Sequence, residues 1–214
     1  MTEIRVRHTN LRDQVLEVVQ QAMVSGEIRP GDIYSASALA ARLGVSSSPV
    51  REAMLALVHR GLMQPVRNRG FRVVEMSERD LDEVYEMRQL LEIPATLSAA
   101  AKAGPADLAR LGALAGEIEA AAADGDVARF LEADRRFHLD LLALAGNRRL
   151  VDGIAALRDQ TRLYGLEKLA ETGRLPGAAA EHRELLAAIE SRDLSILERL
   201  LRAHLEHTRA DWAG

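Results

Sequence analysis

The sequence SASALAARLGVSSSPVREAMLALVHRG, from Ser35 to Gly61, is typical of two short helices joined by a tight turn. Apolar residues recur with helical spacing on both sides of Gly44, and a glycine there can adopt the left-handed backbone that ends a helix. Ser46 is a suitable N-cap for the second helix, and Pro49 fits its first turn. The segment therefore predicts a helix-turn-helix.

The N-terminal end of the second predicted helix carries polar side chains. Helix-turn-helix proteins present this end of their second helix to the major groove of DNA. We therefore predict that Ser46, Ser48 and Arg51 contact the bases. The alternative interpretation is an ordinary helical hairpin closed by a glycine turn.

A predicted β-hairpin follows the second helix directly. Its strands run from Leu62 to Val66 and from Phe71 to Val74, and the turn sequence RNRG separates them. Gly70 suits a turn that needs a positive φ. Arg67 and Arg69 at the tip can reach phosphates or a minor groove. For two arginines in a turn, simple solvation is the alternative.

The residues LAARLGVSSSPVREAMLALVHRGLM, followed by RNRGFRV, resemble the DNA-binding domain of the GntR family of bacterial transcription regulators. The Gly-Val-Ser turn, the Pro-Val-Arg-Glu segment and the Gly-Phe of the hairpin keep the family's spacing. The resemblance covers about the first third of the chain. It implies a winged helix-turn-helix homodimer on a palindromic operator in double-stranded DNA. The family usually has an arginine at the position of Ser47, so the operator sequence does not carry over from better-known members.

Charge is distributed unevenly along the 214 residues, whose formal net charge is −4. Residues 1–75 contain 10 arginines and no lysine against 7 acidic residues, a net charge of +3. The remainder contains 18 basic and 25 acidic residues, a net charge of −7. This asymmetry favours a DNA-binding domain over 1–75 joined to a different domain over 76–214.

The composition also excludes several kinds of site. The chain has no cysteine, which excludes disulfides and thiolate metal or redox sites. No apolar run approaches the length of a membrane span, and the first ten residues do not resemble a signal peptide. We expect a soluble cytoplasmic protein with no membrane partner.

From Ser77 onward the pattern predicts helices and gives no strand signal. We place Pro176 and Gly177 in the loop before the fifth of these helices. The predicted fold is mainly α, with an N-terminal winged helix-turn-helix followed by an antiparallel all-α six-helix bundle. The predicted helices of the bundle cover residues 77–103, 107–123, 126–145, 148–170, 178–190 and 194–211.

Four residues of the bundle form a candidate metal site. Asp134 and His138 are four residues apart and therefore share one face of a helix. His182 and His204 lie on the fifth and sixth predicted helices. One carboxylate and three imidazoles on facing helices can bind a divalent transition metal. His207, one turn beyond His204, is a rival ligand, and such spacing is common without a metal.

The second domain resembles the FCD effector domain of the FadR-type branch of the GntR family. The matching residues are Asp134-Arg-Arg-Phe-His138, Gly146-Asn147, Glu181-His182 and His204. The resemblance spans residues 77–212 and prefers His204 to His207. It implies a divalent metal, zinc first with nickel or manganese as alternatives, and a small carboxylate metabolite bound at or beside it. The implied ligands are Asp134, His138, His182 and His204.

Two further residues are candidates for binding the acid. Arg88 can clamp a carboxylate through its bidentate fork, and family members often have an arginine there. Asn147, at a helix junction, can donate a hydrogen bond to the same ligand. The alternatives are a surface ion pair of Arg88 with Glu92 and a helix C-cap for Asn147.

These features predict a metabolite-responsive transcriptional regulator, a repressor as is usual in the family, and not an enzyme. A metal-sensing regulator is one alternative. A metallohydrolase-like enzyme is another, because an aspartate and three histidines with open coordination positions also occur in such enzymes. We find no candidate general base at a spacing that would indicate catalysis. Glu181 is adjacent to His182 in the sequence, so we expect it to point to another helix face.

Overall fold

The computed structural model describes residues 11–161 and 173–212 of the chain. The chain divides into two compact units, Met1–Glu75 and Met76–Gly214. Within the described ranges, the first unit contains three helices and a small sheet, and the second unit contains six helices and no strand. The predicted mainly α fold is confirmed.

The first unit consists of a helical core and a three-stranded antiparallel sheet. The sheet has the order β1-β3-β2, and the predicted hairpin forms its last two strands. The short β1 was not predicted, and its two residues pair with β3. The elements are α1 (Leu11–Val24), β1 (Ile33–Tyr34), α2 (Ala36–Leu43), α3 (Ser47–His59), β2 (Met63–Val66) and β3 (Gly70–Val73).

The turn between α2 and α3 follows the prediction in its backbone. Gly44 has a φ of 66° and ends α2 in the left-handed conformation. Ser46 has the extended backbone of an N-cap, but its hydroxyl makes no capping hydrogen bond to α3. The inward face of α3, with Val50, Met54 and Leu57 fully buried, packs against α1 and α2. The outward face of α3 therefore remains exposed.

The helices of the second unit differ from their predicted bounds mainly at two points. Pro176 and Gly177 lie in the first turn of a helix rather than in a loop, because proline is well tolerated there. The predicted continuation of the fourth helix to residue 170 lies outside the described residues beyond Thr161. The helices are α4 (Glu78–Ala100), α5 (Pro105–Asp124), α6 (Val127–Ala143), α7 (Arg148–Thr161), α8 (Leu175–Glu190) and α9 (Leu194–Trp212).

These six helices pack around one main apolar core. Helix α5 packs against α6 and α8, α9 packs against α4 and α8, and α4 also contacts α6 and α7. None of the helices in 11–161 and 173–212 combines the length and apolarity that a membrane span needs. The centre of the core includes Leu111, Ile118, Phe137, Leu141, Leu185 and Leu197.

The start of α4 is fixed by a cap and by α9. Ser77 and Asp80 form a capping box, in which the Ser77 N–H donates to Asp80 Oδ2 at 2.8 Å and Ser77 Oγ accepts from the Asp80 N–H at 3.2 Å. Arg209 on α9 forms ion pairs of 2.7 Å with Glu78 and with Asp82. The first two turns of α4 are therefore tied to the helix that carries His204.

Candidate functional site

The predicted base-contacting residues lie together at one end of α3. Ser46, Ser48 and Arg51 are all exposed. Ser48 Oγ donates a hydrogen bond of 3.3 Å to Glu52 Oε1, one turn further along the helix. The end of α3 thus presents a guanidinium and hydroxyl groups to solvent, which are groups that can donate to base edges.

The hairpin tip presents the two predicted arginines. Val66 pairs with Gly70 across the hairpin, and Asn68 in the loop adopts a φ of 58°. Arg67 and Arg69 flank Asn68 and are both exposed. The tip therefore carries two accessible positive charges on the same unit as α3.

In the second unit, the four predicted metal ligands converge. Asp134 and His138 lie on α6, His182 on α8 and His204 on α9. One ligand atom from each of the four lies within 4.8 Å of the others. The His182 Nε2 atom is 3.0 Å from Asp134 Oδ1 and 3.2 Å from His138 Nε2. Three helices therefore bring one carboxylate oxygen and three imidazoles to a single point.

Hydrogen bonds on the far side of two of the rings orient them. His182 Nδ1 lies 2.9 Å from the Ala178 carbonyl oxygen, one turn earlier on α8, so this nitrogen donates. His204 Nδ1 lies 2.7 Å from Glu181 Oε2. In each ring these contacts leave Nε2 as the acceptor. Metal-binding histidines are oriented in this way, with the second nitrogen bonded to a carbonyl or a carboxylate.

The surroundings of the cluster favour the protonation states that a metal needs. Burial lowers the pKa of His138 well below its ordinary value, and the nearby charge of Arg158 lowers it further. Burial also lowers the pKa of His204. Burial opposes ionisation of Asp134, but its contacts with His138 and Arg158 hold the pKa of the carboxyl well below its ordinary value. Neutral imidazoles beside an ionised carboxylate are ready to bind a cation.

Glu181 is part of the same site, so the expectation that it points to another helix face was wrong. Its carboxylate joins His204, at 2.7 Å from Nδ1, to His207, at 2.6 Å from Nδ1. The side chain of His207 is 56% exposed and lies outside the group of four ligands. Adjacent positions on α8 can both reach the cluster because α9 packs along their common side.

A buried charge network connects Asp134 to α4. Glu92 accepts from Arg88 Nε at 2.6 Å and from Arg158 Nη2 at 2.9 Å. Arg158 also donates to Asp134 Oδ2 at 3.2 Å, which leaves Oδ1 facing the histidines. Burial opposes ionisation of Glu92, but Arg158 and Arg88 more than offset it and lower the pKa of Glu92 to about 2. The pair of Arg88 with Glu92 therefore exists, but it is buried rather than at the surface.

A cavity of about 370 Å³ opens beside the cluster. Its wall includes His182, His204, Arg88 and the ring of Trp212. Arg88 is only 2% exposed, and its Nη2 atom has no hydrogen-bond partner among residues 11–161 and 173–212. The guanidinium lies over the Trp212 ring, 5.6 Å from its centroid. An unpaired buried donor in a cavity wall is the group that an anionic ligand would satisfy.

Asn147 is not brought to this cavity. Its Oδ1 accepts a hydrogen bond of 3.2 Å from the Leu150 N–H, and its side chain thereby caps the start of α7. It does not belong to the residues that line the cavity. The suggestion that it ends the preceding helix is also wrong, because the cap serves the following one.

Sequence reasoning missed the roles of Glu92 and Arg158 in this site. A signal for the first was present, since Arg88 and Glu92 occupy two consecutive positions in the buried stripe of α4. Charged residues in an otherwise apolar stripe indicate a buried ion pair or a binding site. The stripe consists of Leu81, Val84, Arg88, Glu92, Ala95 and Ala99.

Both units match known protein families. Residues 11–73 match the family described as bacterial regulatory proteins, gntR family. Residues 83–207 match the FCD domain. The second match alone covers more than half of the chain.

Similar proteins include transcriptional regulators that this chain matches over most of their length. The HTH-type transcriptional regulator McbR of Escherichia coli K12 is 29% identical over 191 residues, which cover 88% of this chain and 86% of McbR. A probable D-xylose utilization operon transcriptional repressor of Paenarthrobacter nicotinovorans is 30% identical over 208 residues, covering 95% of this chain and 89% of the relative. The solved structure of E. coli McbR superposes with a TM-score of 0.82 at 28% identity, covering 95% of this chain and 97% of the other.

Proposed function

This chain belongs to the gntR family of bacterial regulatory proteins and carries an FCD domain, and from that premise we propose that it is a metabolite-responsive repressor. It acts as a homodimer in the cytoplasm. Its first unit binds a palindromic operator, and its second unit binds a divalent metal together with a small organic acid. The relatives are transcriptional regulators, which argues against the metallohydrolase alternative.

The proposal rests above all on the convergence of one carboxylate and three imidazoles within 4.8 Å. The donor set suits a transition metal, with zinc first and nickel or manganese as alternatives. The hydrogen bonds at His182 Nδ1 and His204 Nδ1 fit the same role, because they leave the other ring nitrogen free. When bound, the metal would supply a Lewis-acid site for an oxygen of the acid. The ligands would be Asp134, His138, His182 and His204.

Two histidines on α9 allow a matched test of this metal site. His204→Ala removes a proposed ligand, whereas His207→Ala removes a half-exposed ring that contacts the same Glu181 carboxylate. We expect zinc content, measured by mass spectrometry after dialysis, to fall sharply in the first variant. The second variant and the wild type are both expected to retain about one zinc per chain. Full zinc in His204→Ala would exclude His204 as a ligand, and equal zinc loss in both variants would contradict the choice of His204 over His207.

The acid is proposed to bind Arg88. Its buried Nη2 has no partner in the described part of the chain, and it faces a cavity that also reaches His182 and His204. A carboxylate would satisfy this donor with a charge-assisted hydrogen bond. The position of Asn147 does not support a contact with the same ligand, because its side chain caps α7.

The DNA contacts are proposed for the exposed end of α3 and the hairpin tip. Ser46, Ser48 and Arg51 would contact base edges in the major groove. Arg67 and Arg69 would contact the phosphate backbone or the minor groove. Their exposure on one small unit supports this arrangement.

Arg51→Ala tests the base contacts, with Arg148→Ala as a control of equal charge change. The Arg148 side chain is 94% exposed on the second unit, far along the chain from α3. Duplexes selected by the wild-type protein from a random pool would serve as operators. We expect Arg51→Ala to bind them about tenfold to hundredfold more weakly, and the control to bind normally. Unchanged binding by Arg51→Ala would remove α3 from the recognition surface.

The acid relieves repression if it weakens operator binding. A coupling of about 1–3 kcal/mol is typical of two allosterically linked sites. The measurement is operator affinity with and without acid, in zinc-loaded protein and after chelation. Release on chelation with no effect of any acid would favour a metal-sensing regulator over this proposal.

A further inference from the structure

We propose that the acid bound in the cavity is a monocarboxylate with an apolar, flat body, such as an aromatic ring. Its carboxylate binds Arg88 and its ring packs against Trp212. This inference rests on the proposed function of the cavity as an effector site, and it names the chemical class of the effector.

The charges in the cavity wall provide one anchor for an anion. Arg135 forms two hydrogen bonds to Asp159, of 2.7 and 3.2 Å, and Arg174 lies 2.6 Å from Asp211. Arg158, another arginine of the cavity wall, pairs with the Glu92 and Asp134 carboxylates of the buried network. Within the described ranges, Arg88 is the one wall arginine that has a buried nitrogen without a partner. In these ranges, the other three wall arginines are already paired with carboxylates.

The cavity wall also carries apolar side chains, one of them beside Arg88. Trp212 is 6% exposed, and Phe130 is 3% exposed, so both rings are interior surfaces and not part of the outer solvated face. Leu131 and Ala178 add aliphatic carbon to the same wall. A flat hydrophobic group gains both burial and ring-to-ring contact against these side chains.

The size of the cavity also favours a monocarboxylate with an aromatic ring. A volume of about 370 Å³ lies at the lower end of the range for ligand pockets. A two- to four-carbon acid would leave most of this volume to water. A phenyl ring with a short carboxylate chain would fill most of it.

Trp212 makes this inference directly measurable, because it is the only tryptophan of the chain. In the folded protein its fluorescence therefore reports on the cavity wall. Full-length zinc-loaded protein would be titrated with 3-phenylpropionate and phenylacetate, and with lactate and succinate as small hydrophilic acids. We expect the aromatic acids to change the fluorescence and to bind at least tenfold more tightly than lactate or succinate.

Two variants assign the two ends of the ligand, with binding followed by calorimetry. Arg88→Lys is expected to weaken every acid at least tenfold while zinc content stays unchanged, because an ammonium cannot form the guanidinium fork. Trp212→Leu is expected to weaken 3-phenylpropionate about tenfold and to leave hexanoate nearly unchanged. A structural role alone would weaken both acids alike in the second variant, so the ratio of the two affinities is the decisive number.

The outcomes separate this inference from the function on which it rests. Tighter binding of lactate or succinate than of the aromatic acids would overturn the apolar class and leave an acid effector in place. Binding of the aromatic acids that neither variant alters would overturn the assigned site. Failure of every acid to bind zinc-loaded protein would overturn the effector function, and the inference with it.

Discussion

Glu92 is a buried carboxylate between two arginines, and its environment makes the stability of the second unit depend on pH. Its side chain accepts hydrogen bonds from Arg88 on α4 and from Arg158 on α7. Burial alone would favour the neutral acid, yet the two cations lower the pKa of Glu92 to about 2 from an ordinary value of 4.5. This difference corresponds to about 3 kcal/mol of stability, present above pH 4.5 and lost as the pH falls towards 2.

Glu92→Gln is expected to remove this pH dependence. The unfolding free energy of the wild type, measured in urea, should fall by about 2 kcal/mol more between pH 6 and pH 3 than that of the variant. The variant itself is less stable at pH 6, because it leaves two buried arginines with one fewer carboxylate. The control is Glu198→Gln, the same chemical change in an exposed pair with Arg202. A pH profile of Glu92→Gln that matches the wild type would show that folding does not shift the pKa of Glu92.

The four residues of the candidate metal site could be predicted from the sequence. The contacts that support them could not. Asp134 and His138 share a helix face by spacing alone. The helical pattern assigned His182 and His204 to facing helices, and the family resemblance favoured His204 over His207. No local pattern relates Arg158 to Glu92, because they are 66 residues apart and meet only when α7 packs against α4. Asn147 is the opposite case. Its position in the sequence suggested a contact with the acid, but in the structure its side chain caps the start of α7.

At the scale of elements, the hairpin depends on a close approach that only glycine allows. Gly70 begins β3 with a φ of 127°. A Cβ atom at this position would lie 2.3 Å from the Tyr34 carbonyl oxygen of β1, which is far inside van der Waals contact. Both strands belong to the same three-stranded sheet. Gly70 is therefore needed for the sheet and not only for the turn.

Gly70→Ala is expected to destabilise the first unit by about 2–3 kcal/mol, since both the backbone conformation and the contact with Tyr34 become unfavourable. Gly26→Ala is the matched control, because Gly26 also has a positive φ, of 74°, but its Cβ would meet no atom within 4 Å. The control should lose only the backbone cost of about 1 kcal/mol. Urea unfolding of both variants gives the comparison, and equal losses would contradict the steric explanation.

The helices of the second unit and the two strands of the hairpin were predictable to within a few residues, but the short β1 was not. Ser77 and Gly44 mark helix ends by side-chain capping and by left-handed backbone, and both act as predicted. The two-residue β1 has no alternating pattern of its own and exists because β3 offers it hydrogen bonds. Pro176 was assigned to a loop, although proline is equally suited to the first turn of α8, and sequence alone does not distinguish these positions.

At the scale of the whole molecule, the two units have separate cores, and the proposed metal belongs to one of them. The interior of the first unit is built from α1, α2, α3 and the sheet. All four proposed ligands lie in the second unit, on α6, α8 and α9. A ligand that binds only the folded form stabilises the unit that carries its site.

Metal removal is therefore expected to lower the unfolding temperature of the second unit only. Zinc at a hundredfold excess over its dissociation constant contributes about 2.7 kcal/mol, which chelation would remove. Trp212 fluorescence follows the second unit, and a calorimetric transition that moves in Gly70→Ala identifies the first. In Asp134→Asn, which lacks the carboxylate, chelation should change neither transition. A shift of the first unit's transition on chelation would place metal-dependent contacts there as well.

Helix α4 runs without a break from the boundary of the second unit to the cavity wall. It begins at Glu78, three residues after the first unit ends at Glu75, and reaches Arg88 without a proline or a glycine between. Ten residues of helix span about 15 Å. A tilt of about 5° at Arg88 thus displaces the first turn by about 1 Å, with no hinge on the way to absorb it. A ligand that displaces the Arg88 guanidinium and tilts α4 therefore also moves the chain segment that leads to the DNA-binding unit.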